Sequence, residues 1–291
     1  MRAYRLMGIV NVTPDSFSDG GLFLEVDAAV SHGLELVAQG ADILDIGGES
    51  TRPGAEPVPV EEELRRVVPA IEALAVGVGD IQISIDTSKA AVAEAALAAG
   101  ASFVNDVTAL RGDPEMAAVV AGSGADCCLM HMLGQPRTMQ RGVGGPQYKD
   151  VVDEVKAFLG ERMAFAVQAG IAEERILLDP GIGFGKTVEH NLELLRRLGE
   201  LVALGRPVVI GTSRKSFLGR VDGEITRSRA CSAGVPAADP TRLSGTIATN
   251  VLALERGASV FRVHDVGPVA AALASAAATL TGKWTANEAT T

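Results

Sequence analysis

The stretch Ile81-Gln-Ile-Ser-Ile-Asp-Thr-Ser-Lys-Ala-Ala-Val-Ala-Glu-Ala-Ala-Leu-Ala-Ala-Gly-Ala-Ser-Phe-Val-Asn105 contains one complete structural repeat. Ile81 to Ile85 is short and rich in β-branched residues, which reads as a buried strand. Ser88 to Ala99 is alanine-rich and reads as a helix, with Gly100 as its stop. Ser102 to Asn105 returns to strand. A strand, a helix and a second strand in that order predict a parallel pair joined by a crossover helix.

The same alternation extends to both ends of the chain. Upstream, the strands are Leu6 to Val12 and Asp42 to Ile46, and the helices are Asp27 to Gln39 and Val60 to Ala75. The second of these helices opens with Glu61, Glu62 and Glu63, where the helix dipole favours anions. Downstream, the strands are Asp126 to His131, Arg175 to Leu178, Pro207 to Ile210 and Ser259 to Val263. The intervening and following helices are Pro114 to Ala121, Val151 to Ala169, Glu189 to Leu204, Ser244 to Arg256 and Pro268 to Leu280. Asp222 to Asp239 reads as a long loop. Eight strand–helix units in 291 residues suit a single closed (β/α)8 TIM barrel. An open doubly wound sheet is the alternative arrangement. Residues 1–283 are expected to form one domain, with 284–291 a frayed tail.

The formal charge is −10, which argues against nucleic acid and anionic membrane surfaces, since both select a basic face. The longest bland apolar stretch, Val269 to Leu280, is too short to span a bilayer. Cys127, Cys128 and Cys231 are too few and too poorly spaced for a disulfide framework or a zinc site, and no secretory signature opens the chain. The expected location is therefore the reducing cytoplasm. Cys127 and Cys128 point to opposite faces of one strand and read as packing residues.

In a barrel of this kind, polar residues at the C-terminal ends of strands usually build the site. Nearly every strand here ends in one. They are Asn11, Asp45 with Glu49, Asp86, Asn105-Asp106, His131, Asp179, Ser213-Arg214-Lys215, and Arg262 with His264. Any one of them alone has an ordinary explanation as a helix cap or a solvated loop residue. His131 in particular reads as a packing histidine, and His32 and His190 as surface residues. The coincidence of eight is what points to a site.

Two loops, Thr13 to Gly21 and Gly47 to Gly54, combine glycine, proline and hydroxyl residues. Their composition suits segments that close over a ligand, with Arg52 able to fork onto phosphate oxygens. Asp179-Pro-Gly-Ile-Gly-Phe-Gly-Lys-Thr187 looks like a phosphate loop. However, Pro180 occupies a required glycine of the Walker pattern, and Lys186 occupies the last glycine of the dinucleotide pattern. It is instead a glycine-rich turn that lets backbone approach a flat ligand, with Phe184 able to lie against it.

Arg262 and His264 are two apart on a strand and share a face, and Ser213 and Lys215 do so if strand geometry persists. Such cations and donors suit an anion such as diphosphate. Asp86, Asp179 and an asparagine suit the N–H and amino groups of a nitrogen-rich ring. The alternative is that Asp86 and Asp179 pair with the cations as structural ion pairs.

The motifs Gly8 to Gly21, Gly47 to Gly54, Ser84-Ile-Asp-Thr87, Asn105-Asp-Val107, Leu129-Met-His-Met132 with Pro136 to Gln140, Asp179 to Lys186, Ser213-Arg-Lys-Ser216 and Arg262-Val-His-Asp-Val266 run in order along almost the whole chain. In this they resemble the dihydropteroate synthases, the folate-pathway transferases inhibited by sulfonamides. The resemblance implies a (β/α)8 barrel, usually a homodimer. Its small-molecule substrates would be 6-hydroxymethyl-7,8-dihydropterin diphosphate and p-aminobenzoate. Asp86, Asn105, Asp179 and Lys215 would hold the pterin, with Met130 packed nearby. Arg262 and His264, with Val263 between them, would take the diphosphate, with Asn11 beside it at a Mg²⁺ ion. Thr51, Arg52, Pro53, Phe184 and Ser213 would line the p-aminobenzoate side. Asp86, Asp179, Lys215 and Arg52 are the expected catalytic residues. Residues 220–241 follow no pattern of the family.

Overall fold

The computed structural model describes residues 4–13, 21–50, 55–134, 145–229 and 242–283. Its strands are β1 (Arg5–Asn11), β2 (Ile43–Gly47), β3 (Gln82–Asp86), β4 (Phe103–Asp106), β5 (Asp126–Met130), β6 (Ile176–Asp179), β7 (Val209–Ile210) and β8 (Val260–Val263). All strand pairs are parallel, in the order β6-β5-β4-β3-β2-β1-β8-β7. The two ends of that order meet: Leu178 bridges Val208, and the Leu178 amide donates to the Pro207 carbonyl at 3.0 Å. The sheet is therefore closed into the expected barrel, which excludes the open doubly wound arrangement.

Ten helices appear among the described residues: α1 (Gly21–Ala38), α2 (Val60–Gly77), α3 (Ala90–Ala98), α4 (Met116–Ser123), α5 (Val151–Gln168), α6 (Val188–Arg196), α7 (Leu198–Val202), α8 (Ser216–Arg229), α9 (Leu243–Glu255) and α10 (Val266–Thr281). Three differ from the sequence reading. Helix α1 starts at Gly21 rather than Asp27. The helix expected over 189–204 is two helices, α6 and α7, meeting at Arg197, which carries ion pairs to Asp150 and Glu200. Residues 222–229, expected in a long loop, continue α8; the rest of that loop and the tail from Trp284 lie outside the described residues.

Side chains alternate between two cores, as strand geometry requires. One set, including Leu6, Val10, Leu44, Ile46, Ile83, Ile85, Val104, Cys127 and Val263, is buried between strands and helices. The other set fills the barrel in layers. At the N-terminal mouth a polar chain runs from Arg5 through Gln82 to Asp126 and Arg175. Above it Met7, Ile43, Phe103, Cys128, Leu177, Val209 and Val260 form an apolar plug. The next inward positions along the strands are Asp45, Asn105, Met130, Asp179 and Arg262. The register thus places the charged residues directly above a dry floor. Cys127 and Cys128 face opposite cores, as expected. Among the described residues no helix is long and apolar enough to cross a membrane.

Phe103 is fully buried in the plug. Phe103→Ala is expected to cost about 3–5 kcal/mol of stability, read as a lowered urea midpoint. A change below about 1 kcal/mol would show that the plug is not close-packed.

Candidate active site

The C-terminal mouth of the barrel is organised by Asp45. This residue is fully buried on β2, inside an otherwise apolar strand. It accepts hydrogen bonds from Ser84 Oγ (2.6 Å), Asn105 Nδ2 (3.0 Å) and Arg262 Nε (2.6 Å). Arg262 also donates from Nη2 to Asp86 Oδ2 at 2.6 Å. One guanidinium on β8 therefore links the carboxylates of β2 and β3, and the first of these fixes the amide of β4. The expected alternative of a structural ion pair is realised for Asp86. Burial raises the Asp86 carboxyl above the ordinary range, with Arg262 opposing and Asp45 reinforcing the shift. Burial alone would lower Arg262, but Asp45 and Asp86 hold it above its usual value.

Asp179 ends β6 and has a different environment. Its Oδ1 accepts from the Gly181 amide at 2.6 Å. Burial raises its carboxyl, opposed by that amide and by Lys215. The loop that follows, Gly181 to Gly185, lies directly on the end of β5. Gly181 has φ +66°, and a Cβ there would stand 1.9 Å from the His131 carbonyl oxygen. At Gly185, with φ +61°, a Cβ would stand 2.5 Å from the Leu133 carbonyl oxygen. Both positions require glycine, for conformation and for room. The result is that Phe184 joins Val107, Met130 and Met132 in an apolar patch at the mouth. Lys215 Nζ sits 4.0 Å from the centre of the Phe184 ring. Burial, then Arg262, lower the Lys215 ammonium to about 8, with Asp179 and Asp86 opposing.

Strand β7 ends at Ile210, and Arg214 has φ +57°. Strand geometry therefore does not carry through to Lys215, so the condition for Ser213 and Lys215 to share a face is not met. Ser213 and His264 nevertheless meet, with Ser213 Oγ 2.9 Å from His264 Nδ1 and accepting from the His264 amide. Arg214 turns away to pair with Asp265. Asn11, half-buried, ends β1 beside Gly47. Val263 is corrected: strand alternation turns its side chain into the outer core, where it is fully buried, so it cannot line the mouth as a side chain. Thr51, Arg52 and Pro53 lie outside the described residues, as do 14–20 of the first loop.

Two residues were passed over by the sequence reading. Asp45 was noted only as a strand end, although a carboxylate inside Ile-Leu-Asp-Ile, in register with Ser84, marks an inward-facing charge. Lys186 was noted only as breaking a glycine pattern. It is buried, and its Nζ lies 2.9 Å from His131 Nδ1 and 3.1 Å from the Phe184 carbonyl oxygen. His131 is thus a packed histidine, as expected. Burial, then Lys186, push His131 down to about 3, while burial lowers Lys186 to about 7, so the proton of the pair sits on the lysine. His190, expected at the surface, is half-buried and caps α6 with Thr187.

A cleft of about 550 Å³ opens beside the polar layer, lined in part by Glu49, Asp86, Val107 and Met132. Its volume suits a small organic molecule. Its outer wall is held by Lys89, which bonds both Glu49 and Glu63, and by Arg66, which donates to the Gly48 carbonyl at 2.8 Å. Among the described residues no group of three His, Cys, Asp or Glu is placed to hold a metal ion.

A closed parallel barrel with paired carboxylates and cations over an apolar floor defines a small-molecule enzyme of the (β/α)8 class. Residues 7–264 match the pterin-binding enzyme family. The chain is 44% identical to the dihydropteroate synthase of Escherichia coli strain K12 over 278 residues, covering 96% of this chain and 92% of that protein. It is 45% identical to that of Clostridium beijerinckii over 262 residues, covering 90% and 88%. Among solved structures, Xanthomonas albilineans dihydropteroate synthase with 4-aminobenzoic acid superposes with a TM-score of 0.84 at 48% identity, covering 95% of this chain and 93% of that one. The same enzyme with 7,8-dihydropteroate gives 0.80 at 45%, covering 96% and 95%. The chain belongs to the pterin-binding enzyme family and, within it, to the dihydropteroate synthases, which are transferases.

Asp45→Asn keeps the shape but places an amide NH2 donor among three donors and leaves Arg262 with one carboxylate. Breaking a buried pair in this way is expected to cost about 3–5 kcal/mol by chemical denaturation. A loss under about 1 kcal/mol would mean that the linkage does not organise the mouth.

Proposed function

We propose that this chain condenses 6-hydroxymethyl-7,8-dihydropterin diphosphate with p-aminobenzoate, giving 7,8-dihydropteroate and diphosphate. The observation that carries the reading is the set of groups at one mouth: Asp86, Asn105, Asp179 and Lys215 above an apolar plug, with Arg262 and His264 on the next strand face. The carboxylates accept from ring N–H and amino groups, and Lys215 donates to a ring acceptor. Met130 and Phe184 supply apolar surface, with Phe184 and Ser213 on the p-aminobenzoate side, to which the family resemblance also assigns Thr51, Arg52 and Pro53.

Two of the Arg262 nitrogens are engaged by Asp45 and Asp86. Its Nη1 has no partner among the described residues, and that donor, with His264 and Asn11, is assigned to the diphosphate. As the bond from carbon to diphosphate oxygen breaks, positive charge develops on the pterin methylene and spreads into the ring. Asp86 and Asp179 face that charge from fixed positions in a water-poor site. The aryl amine then bonds to the methylene carbon and releases its proton. No enzyme nucleophile takes part.

Asn11 offers one amide oxygen at the mouth, and no carboxylate cage stands beside it among the described residues. That donor set fits Mg²⁺ held chiefly by substrate phosphate oxygens. Bound there, Mg²⁺ would supply charge neutralisation to the leaving group. Assembly as a homodimer and a cytoplasmic location complete the proposal. The buried thiols Cys127 and Cys128 suit a reducing compartment.

Diphosphate release should require p-aminobenzoate and should stop in excess chelator. Release that ignores p-aminobenzoate refutes the condensation, and full turnover in chelator refutes the role of the metal.

Asp179→Ala should weaken binding of a pterin analogue by about 1.5–3 kcal/mol. In the parent protein that affinity should fall as pH rises through about 8, because the Lys215 ammonium is present below that value and lost above it. Lys215→Met should be weak throughout and lack this limb. Calorimetry showing the same pH dependence in both proteins would remove Lys215 from ring recognition.

A further inference from the structure

We infer that Lys186 is a positioning residue for the proposed reaction, fastening the glycine turn to the end of β5 so that the Phe184 ring stays under Lys215. The role rests on the proposed function for its kinetic meaning and on geometry for its structural meaning. Lys186 is buried, and its three ammonium donors meet three acceptors. These are His131 Nδ1 at 2.9 Å, the Phe184 carbonyl oxygen at 3.1 Å and the His131 carbonyl oxygen at 3.4 Å. None of these is a carboxylate. A buried cation whose direct hydrogen-bond acceptors are all neutral pays a desolvation cost, which the Asp179 carboxylate opposes only from a distance. Two of its acceptors belong to His131, the residue that follows β5, and the third belongs to the turn, so the ammonium joins the two segments at one point. The turn's other side-chain bonds run to β6, α6 and the segment before α5. Asp179 and Asn191 accept from the Gly181 and Gly183 amides, and Tyr148 donates to the Gly185 carbonyl. The residue held between the Lys186 bonds is Phe184, whose ring lies 4.0 Å from Lys215 Nζ.

Lys186→Met keeps the length of the side chain and removes all three donors. In a crystal structure of that variant, the Phe184 ring should leave Lys215, beyond the roughly 6 Å over which a cation and a ring attract. A ring still near 4.0 Å overturns the inference. In kinetics, Lys186→Met should lower kcat/KM for p-aminobenzoate roughly tenfold, and the double variant with Phe184→Ala should be no worse than Phe184→Ala alone. An unchanged kcat/KM, or losses that multiply, overturns it. A purely structural lysine would lower the thermal midpoint and leave both readouts in place. If Lys186→Met does not fold, Lys186→Gln, which keeps two donors, takes its place in both arms. A parent protein that makes no dihydropteroate refutes the proposed function instead, and the crystallographic arm still decides the role of Lys186.

Discussion

The bond pair that Arg262 makes to Asp45 and Asp86 is the constraint on which the mouth of this barrel depends. A buried ion pair is weak support for overall stability, because desolvation of the charges offsets their attraction. Its value here is geometric. The planar fork of arginine fixes two carboxylates from different strands at once. Through Asp45 the same constraint reaches Ser84 and Asn105. Four strands, β2, β3, β4 and β8, therefore share one charged network of inward-facing residues, with β3 contributing both Ser84 and Asp86. A lysine in place of Arg262 would keep the charge but could not span both carboxylates with a fixed fork.

The network works because of what lies beneath it. The plug of Met7, Ile43, Phe103, Cys128, Leu177, Val209 and Val260 is apolar and buried. It keeps water from reaching the carboxylates from below, which is why burial is the leading cause of the raised values at Asp86 and Asp179. Both carboxyls are thus poorly solvated and responsive to any cation brought to them. The same surroundings lower Lys215 to about 8. A site whose groups of both signs resist ionisation gains by admitting a ligand that supplies hydrogen bonds and opposite charge.

Much of this was legible in the sequence, and the reasons it was or was not are local. The eight strands could be read because each is a short apolar run between glycine-ended helices. The strand-end polar residues followed from barrel topology. Asp45 was legible as a charge but not as the centre of the network, because its partners lie 39, 60 and 217 residues away in sequence. The start of α1 at Gly21 was missed because glycine opens it where a capping side chain is normally sought. Helix α8 was missed because Asp222-Gly-Glu lacks an apolar stripe. Val263 was placed in the site by its neighbours, Arg262 and His264, although alternation along the strand turns it the other way. Motif adjacency and strand alternation disagreed there, and alternation describes the side chain correctly.

Charge balance at the mouth bears on the proposed metal. Three acidic groups, Asp45, Asp86 and Asp179, stand beside three basic ones, Arg262, Lys215 and Lys186, so the mouth holds no surplus of fixed basic groups among these residues before any substrate arrives. A diphosphate ester adds several negative charges to this balanced set. By the family resemblance, Arg52 would add a further cation. Most of the Arg262 guanidinium is already committed to Asp45 and Asp86, which limits what it can give to the incoming phosphates. A protein with surplus fixed cations at this mouth would have to bury them unpaired in the empty state, at high desolvation cost. A divalent ion arriving with the phosphates avoids that cost, because its charge enters only when the anion does.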